Sequence, residues 1–273
     1  MRVAEPSYAT TFRLVERGGI SFFRSDLLSL SPQVQHGFFA KGGGKGLGMY
    51  ASLNTSLGVG DDREVVLQNR IAALGALGLD NCRLVTPECS HTANVAVLED
   101  LDSDEILMEG VDGVVTQLEG AAILVSTADC FPVIFYAPDV NAYGLSHAGW
   151  RGLQAGIISN TIKALSKEFH ADPQKLHIVV GPGIGACCYI VPNPIQRNLP
   201  NWRNFLKPLD GSFVSIDLRG FLSAQLLDGD VLRKNMDYFP GCNSCDSERF
   251  FSYRREGQRS GRFPTIVGKP RGR

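Results

Sequence analysis

A chain of 273 residues with 44% apolar and 20% charged side chains has the composition of an ordinary globular protein and is long enough to bury a sizeable core. A net charge of −1 excludes general electrostatic attraction to nucleic acid or anionic membranes and favours a small-molecule partner. No basic-then-apolar leader opens the chain and no apolar run of about 18 residues suggests a membrane span. The seven irregularly spaced cysteines read as reduced thiols and ligands, so cytoplasm is the expected compartment.

In chain order, residues 1–25 are a weak lead-in with apolar alternation at 11–15 and 20–23. A glycine-rich loop follows at 42–48; it lacks the Walker spacing, so it is no P-loop. Two readings of it stay open: simple flexibility, or a mobile loop that carries Lys41 or Lys45 over a substrate. Asp61 and Asp62 can cap a helix over 63–79 that sets Leu67, Ile71, Leu74 and Gly78 along one face. Strands are predicted at 84–86 and 95–98, then at 121–125, 133–136 and 142–145. Helical spacing over 153–169 places Ile157, Ile158, Ile162, Leu165 and Phe169 together. A strand at 176–180, a helix at 218–232 and an aromatic strand at 250–253 complete the reading. Arg254-Arg255-Glu256 is then a solvated strand end, with an anion site as the other option. No linker or internal repeat is visible, and strands flanked by helices imply a mixed α and β domain.

The densest chemistry lies in Thr127-Ala128-Asp129-Cys130 and, sixteen residues on, Ser146-His147-Ala148-Gly149-Trp150-Arg151-Gly152. Each segment follows an apolar strand, which delivers Cys130 or His147 to a strand end. Two such ligands can share an ion, and catalytic zinc takes three protein ligands while keeping a fourth position open. The competing reading is a buried thiol and a hydrogen-bonded core histidine. Asp129 and Arg151 beside the pair argue for a site. Among the remaining histidines, His170 reads as a cap at a helix C-terminus, and His177 opens a strand without polar company. His36 and His91 stay open, the latter in a polar turn between strands. Cys242-x-x-Cys245 is half of a structural zinc pattern with no second C-x-x-C to finish it, so it reads as a thiol-bearing turn. The side chains of Cys187-Cys188 should diverge, and a disulfide there would be strained.

TADC-x-P, SHAGWRG, GPGIG-x-CCY and CxxC-x(4)-FFSYRREG, preceded by HGFFAKGGG and YASLNTSLGVGDD, together resemble the YfiH family over about residues 36–262. That family has long been labelled the multicopper polyphenol oxidase or laccase domain, and its members are associated with purine nucleoside phosphorolysis. Three departures stand out: Lys41 where the family has Arg, Cys89 where it has Gln, and Ile190 where it has Glu. The first keeps a cation without a bidentate fork.

The resemblance implies one α+β domain of packed mixed sheets with outer helices. It selects His91 to join Cys130 and His147 as the metal ligands, with zinc (Zn2+) as the expected cofactor. Copper is an alternative occupant, since it outcompetes zinc in raw affinity. The implied reactions are phosphorolysis of adenosine, inosine and methylthioadenosine, and deamination of adenosine; the partners are a purine nucleoside and inorganic phosphate. In that chemistry Asp129 shuttles protons, Arg151 and Lys41 hold phosphate, and Asn54 bonds ribose or base. Asp129 and Cys130 are consecutive, so both reach one site only if the chain bends there, which Pro132 and the strand end allow. The H-x-E with P-C-x-x-C deaminase signature is absent, so any deamination uses an independently built site.

Three other readings compete. Copper-dependent phenol oxidation needs a blue site plus a three-copper cluster, and five histidines are too few. A zinc amidase acting on a nucleotide-linked cell-wall precursor would use the same ligands. A zinc-stabilised scaffold is disfavoured, because structural sites are usually closed by four ligands. The sequence carries no signal for oligomeric state.

Overall fold

A computed structural model of the chain describes residues 10–29, 31, 33–102 and 105–272; the first nine residues of the lead-in lie outside this range. The strands are β1 (Phe12–Arg17), β2 (Ile20–Ser25), β3 (Gln35–Phe39), β4 (Arg83–Pro87), β5 (Val95–Val97), β6 (Glu105–Met108), β7 (Gly113–Thr116) and β8 (Ala121–Thr127). They continue with β9 (Phe131–Ala137), β10 (Ala142–Ala148), β11 (His177–Val180), β12 (Ile190–Pro192), β13 (Leu206–Pro208), β14 (Phe213–Ile216), β15 (Met236–Tyr238) and β16 (Phe263–Lys269). The helices are α1 (Asp26–Ser29), α2 (Arg63–Leu77), α3 (Trp150–Ala155), α4 (Ile157–Phe169), α5 (Leu218–Asp228) and α6 (Tyr253–Glu256).

The strands form a seven-stranded sheet ordered β1-β2-β3-β16-β8-β4-β6, a six-stranded sheet ordered β15-β11-β9-β10-β7-β5, and a small sheet β12-β14-β13. Successive side chains along a strand point to opposite faces, and that alternation builds the layers. Val133 and Phe135 of β9 pack with Ile157, Ile158 and Ile162 of α4 and Leu222 of α5. Ile134 and Tyr136, between and beside them, meet Ile123 and Val125 of β8 in the space between the two large sheets. On the other face of β8, Ala122 and Leu124 pack with Ala73, Leu74 and Leu77 of α2. The result is a helix–sheet–sheet–helix sandwich, the packed mixed sheets with outer helices that the resemblance implied. Among the described residues no helix is long and apolar enough to cross a membrane.

Several elements differ from the sequence reading. The alternation before residue 25 becomes the antiparallel hairpin β1–β2. Asp62 does cap α2, its carboxylate accepting from Val65 N at 3.1 Å, and Gly78 closes it in the left-handed region. Leu74 faces the core as expected, but the buried side of α2 is Val66, Asn69, Arg70, Ala73, Leu74, Ala76 and Leu77, and Ile71 is 66% exposed. The helix docks partly through polar groups: Asn69 Nδ2 donates to Asn54 O at 2.8 Å and Arg70 Nε to Thr55 O at 2.9 Å. Hydrophobic spacing alone misses such a face. The helical stretch 153–169 is two helices, broken at Gly156, whose φ of 92° is open to glycine at little cost. No strand forms at 250–253; Ser252 instead caps the short α6, accepting from Arg255 N. The carbonyls of Phe250 and Phe251 are taken by Arg255 Nη2 and Asn243 Nδ2, so no ladder partner is required.

His36 is a core histidine. It is completely buried on β3, and Ser25 N donates to its Nε2 at 3.0 Å. Burial, reinforced by the Arg24 guanidinium, brings its pKa down to about 3 from an ordinary value of 6.5. A depressed folded-state pKa means the neutral ring is the one the fold accommodates. Its contribution is therefore complete above about pH 6.5 and is lost as pH falls toward about 3. Denaturant unfolding of wild type should lose about 1.4 kcal/mol per pH unit more than His36→Gln across the middle of that window. Equal slopes for the two proteins would remove His36 from the acid response.

Candidate active site

β8, β4 and β6 run parallel in one large sheet. In the other, β5 runs parallel to β7, while β10 is antiparallel to both β7 and β9. The chain therefore crosses from the first sheet to the second three times at one edge: between β4 and β5, between β6 and β7, and between β8 and β9. The C-terminal end of β10 arrives at the same edge. These four places supply His91, Asp112, Cys130 and His147 in turn.

His91, Cys130 and His147 have ligand atoms all within 4.8 Å of one another. Cys130 Sγ lies 3.8 Å from His91 Nε2, and the two imidazoles meet edge to face with centroids 4.9 Å apart. Antiparallel pairing of β9 and β10 sets His147 opposite Pro132, so Cys130 and His147 are neighbours by register. Burial alone would push the Cys130 thiol up, but His147 and then His91 outweigh it and bring the thiol down to about 6. Burial would likewise depress His147; the Cys130 thiolate and Asp112 instead raise it to about 10. One soft thiolate and two imidazoles form a donor set suited to zinc or copper.

Asp112 and Gly149 complete the setting. The buried Asp112 carboxylate accepts from His91 N at 2.9 Å, Thr92 N at 2.7 Å, Thr92 Oγ1 at 2.8 Å and His147 Nδ1 at 2.7 Å. Burial raises its pKa, but the bonds from His147 and Thr92 prevail and hold it below the ordinary carboxylate value. With Nδ1–H committed to Asp112, Nε2 of His147 is the nitrogen left for an ion. At Gly149 an added Cβ would stand 2.8 Å from His91 Cδ2 and 2.9 Å from Cys130 Sγ. Only glycine lets the backbone come that close to the ligands.

The set lies in a cleft of about 980 Å³ whose walls include Trp150, Tyr189 and Tyr253 and five arginines, Arg63, Arg70, Arg151, Arg254 and Arg262. Asp129 also lines it. The chain bends there, with φ of 90° at Asp129, and Asp129 and Cys130 both line the one cleft. The Asp129 carboxylate accepts from Asn243 Nδ2 at 3.0 Å, Ser252 Oγ at 2.7 Å and Arg254 N at 2.6 Å.

A family model described as multi-copper polyphenol oxidoreductase laccase matches residues 35–269. The chain belongs to that family. It is 32% identical over 249 residues to the purine nucleoside phosphorylase YlmD of Geobacillus stearothermophilus, covering 85% of this chain and 89% of that one. It is 32% identical to the adenosine deaminase RL5 of an unknown prokaryotic organism, over 81% of this chain and 88% of the other. The crystal structure of Geobacillus stearothermophilus YlmD superposes with a TM-score of 0.87 at 29% identity, covering 96% of this chain and 100% of that one. The structure of Bacillus licheniformis YfiH does so at 0.85 and 26%, with the same coverages.

Not every residue singled out from the sequence lies in the cleft of this family member. Lys41 is outside its lining, with Nζ 5.8 Å from the centre of the Phe251 ring. Lys45 Nζ donates to Gln68 Oε1 at 2.7 Å, and the backbone of its glycine-rich loop bonds to Ser52 and Asn69, so the loop is pinned. Asn54 is completely buried; its Nδ2 donates to Asp61 Oδ2 at 2.9 Å and its Oδ1 accepts from Arg262 N at 2.9 Å, leaving its amide engaged within the protein. Arg254, for which a solvated strand end and an anion site were both open, is exposed at the start of α6 and lines the cleft beside Tyr189, its guanidinium 5.3 Å from the ring centre. Asp112 and the other three arginines were missed; an acid heading a strand in Val111-Asp112-Gly113 was the available signal. Cys242 and Cys245 are not a solitary turn, since Cys187 and Cys188 join them with all four sulfurs within 4.8 Å. A turn at residues 186–188 brings adjacent side chains together where an extended chain would part them.

Gly149 has φ of −84° and ψ of 170°, a conformation alanine adopts freely. Gly149→Ala should therefore lose one equivalent of bound metal while the melting temperature of chelator-stripped protein stays unchanged. Undiminished metal content would show that the 147–150 segment can shift away from the ligands.

Proposed function

We propose that the protein is a zinc-dependent purine nucleoside phosphorylase, acting on adenosine, inosine and methylthioadenosine, that also deaminates adenosine. The observation that carries this reading is one cleft holding both a two-imidazole, one-thiolate ligand set and an arginine-rich wall. Structural zinc sites use four ligands, whereas three ligands facing a cleft match a catalytic arrangement. The names of the relatives support both reactions.

His91, Cys130 and His147 would hold the ion, which when bound supplies Lewis acidity at the cleft floor. The remaining roles fall to the chain. Arg151 and Arg254, with Arg63 and Arg262 nearby, hold inorganic phosphate through the planar fork that suits phosphate oxygens. Trp150, Tyr189 and Tyr253 offer aromatic faces for the purine. In phosphorolysis the C1′–N9 bond breaks as a phosphate oxygen bonds C1′. The electron pair leaves with the purine, which takes up a proton. Asp129, a carboxylate lining the cleft, moves that proton and in deamination carries protons from attacking water to departing ammonia. Asp129 also clamps residues 243–254, so its two duties must be measured separately.

The copper-oxidase reading has too few imidazoles at the cleft. Of the other three histidines, His36 lies in the core, His170 ends α4 and His177 begins β11. The amidase reading would use the same ligands and is not favoured by any contact among the described residues.

Zinc-loaded protein should convert adenosine to adenine and ribose 1-phosphate with phosphate present, and to inosine without it. In that assay Arg151→Ala should slow phosphorolysis about ten- to a hundredfold, the loss expected for one charge-assisted phosphate contact, and deamination far less. Equal losses would give Arg151 a structural or base-binding role instead. No turnover of adenosine in either condition would remove the nucleoside reading.

Asp129→Asn should keep its metal while turnover per loaded chain falls about a hundred- to ten-thousandfold. Ser252→Ala removes one clamp bond but leaves the carboxylate, so it should lower the melting temperature and keep turnover within several-fold. Matching turnover losses in the two variants would leave Asp129 a clamp only.

A further inference from the structure

β11 and β15 run parallel side by side in the six-stranded sheet, so the loops after their C-terminal ends meet. Cys187 and Cys188 lie in the loop that follows β11, and Cys242 and Cys245 in the turn that follows β15. The four sulfurs all lie within 4.8 Å of one another. Cys188 Sγ is 3.3 Å and Cys187 Sγ 3.6 Å from Cys245 Sγ, and Cys187 and Cys188 sulfurs are 3.9 Å apart. A zinc–sulfur bond of about 2.3 Å implies a tetrahedron edge of about 3.8 Å, which these separations bracket. None of the four cysteines forms a disulfide.

We propose that Cys187, Cys188, Cys242 and Cys245 form a second, structural zinc site, closed by four thiolates and distinct from the His91–Cys130–His147 set. The surroundings suit such an ion. Gly185 N donates to Cys242 Sγ at 3.1 Å, the kind of backbone donor that supports a coordinated sulfur. Arg255 Nη1 donates to the carbonyls of Asn243 and Ser244 at 3.3 and 2.8 Å, so a cation backs the two residues between Cys242 and Cys245. Binding is a proton exchange without redox change: one Zn2+ forms four Zn–S bonds, four thiol protons leave to solvent, and the centre carries a charge of −2.

The ion would staple one wall of the cleft to the turn that holds Asp129. One loop carries Ile184 and Tyr189, which line the cleft. The other carries Asn243, which donates both to Asp129 Oδ1 and to the carbonyl of Phe251. A closed tetrathiolate has no position for substrate, so the site acts through the loops it holds.

Zinc bound after reconstitution under anaerobic, reducing conditions and desalting distinguishes the sites. Wild type should retain two equivalents per chain, Cys130→Ala one, Cys245→Ser one, and the double variant none. If Cys245→Ser fails to fold, Cys130→Ala carries the test: cobalt loaded into it should show the intense charge-transfer bands of a tetrathiolate centre. One equivalent in wild type with none in Cys130→Ala overturns the proposal. A Cys188–Cys245 disulfide in zinc-replete protein overturns it as well.

Discussion

The Asp112 carboxylate is fully buried, yet it binds the backbone N–H groups of His91 and Thr92 and the ring of His147. A buried charge is tolerable only when hydrogen bonds and opposite charge surround it. Satisfying this one group therefore brings together a loop from one sheet crossing and the end of a strand from the other direction. His91 itself sits in the left-handed region with φ of 63°, a posture sustained by the bonds its segment makes to Asp112. Cys130 needs no such tether, because the register of β9 on β10 already sets it beside His147.

Asp129 plays the corresponding part on the opposite wall. Its carboxylate gathers Asn243, Ser252 and Arg254 N, and Ile184 N donates to its backbone carbonyl at 2.8 Å. Two carboxylates thus organise the two sides of the cleft, and they differ in surroundings. Asp112 faces an imidazole and never meets the open cleft. Asp129 lines it, and could exchange a proton with a ligand only by loosening one of the donors that hold it.

The arginines explain how a chain of net charge −1 offers a cationic cleft. Arg254 Nη1 donates to the carbonyl of Ile190 and Arg262 Nη1 to that of Gly261. Carbonyls orient a guanidinium without neutralising it, so its charge stays available to an anion. Low-dielectric walls then concentrate that field within the cleft, independent of the overall charge. The cysteine-bearing loops lie on the same edge because β11 runs antiparallel to β9 and parallel to β15. Topology, rather than any local sequence preference, gathers both sets of soft ligands at one end of the sandwich.

By itself the sequence determined the central strands, the N-cap of α2 at Asp62, and the delivery of Cys130 and His147 to strand ends as candidate ligands. These rest on local rules: apolar runs make strands, short polar side chains cap helices, and a strand delivers its last residue to an edge. His91 was chosen through the resemblance, since His36 was equally open from the residues. Tertiary structure decided what depends on separation along the chain. It buried His36 and Asn54, left Lys41 outside the cleft, and brought in Asp112 from 35 residues before His147. It also joined Cys187 and Cys188 to Cys242 and Cys245, although more than fifty residues lie between the pairs. Spacing patterns describe one segment at a time, whereas sheet order sets which strand ends become neighbours.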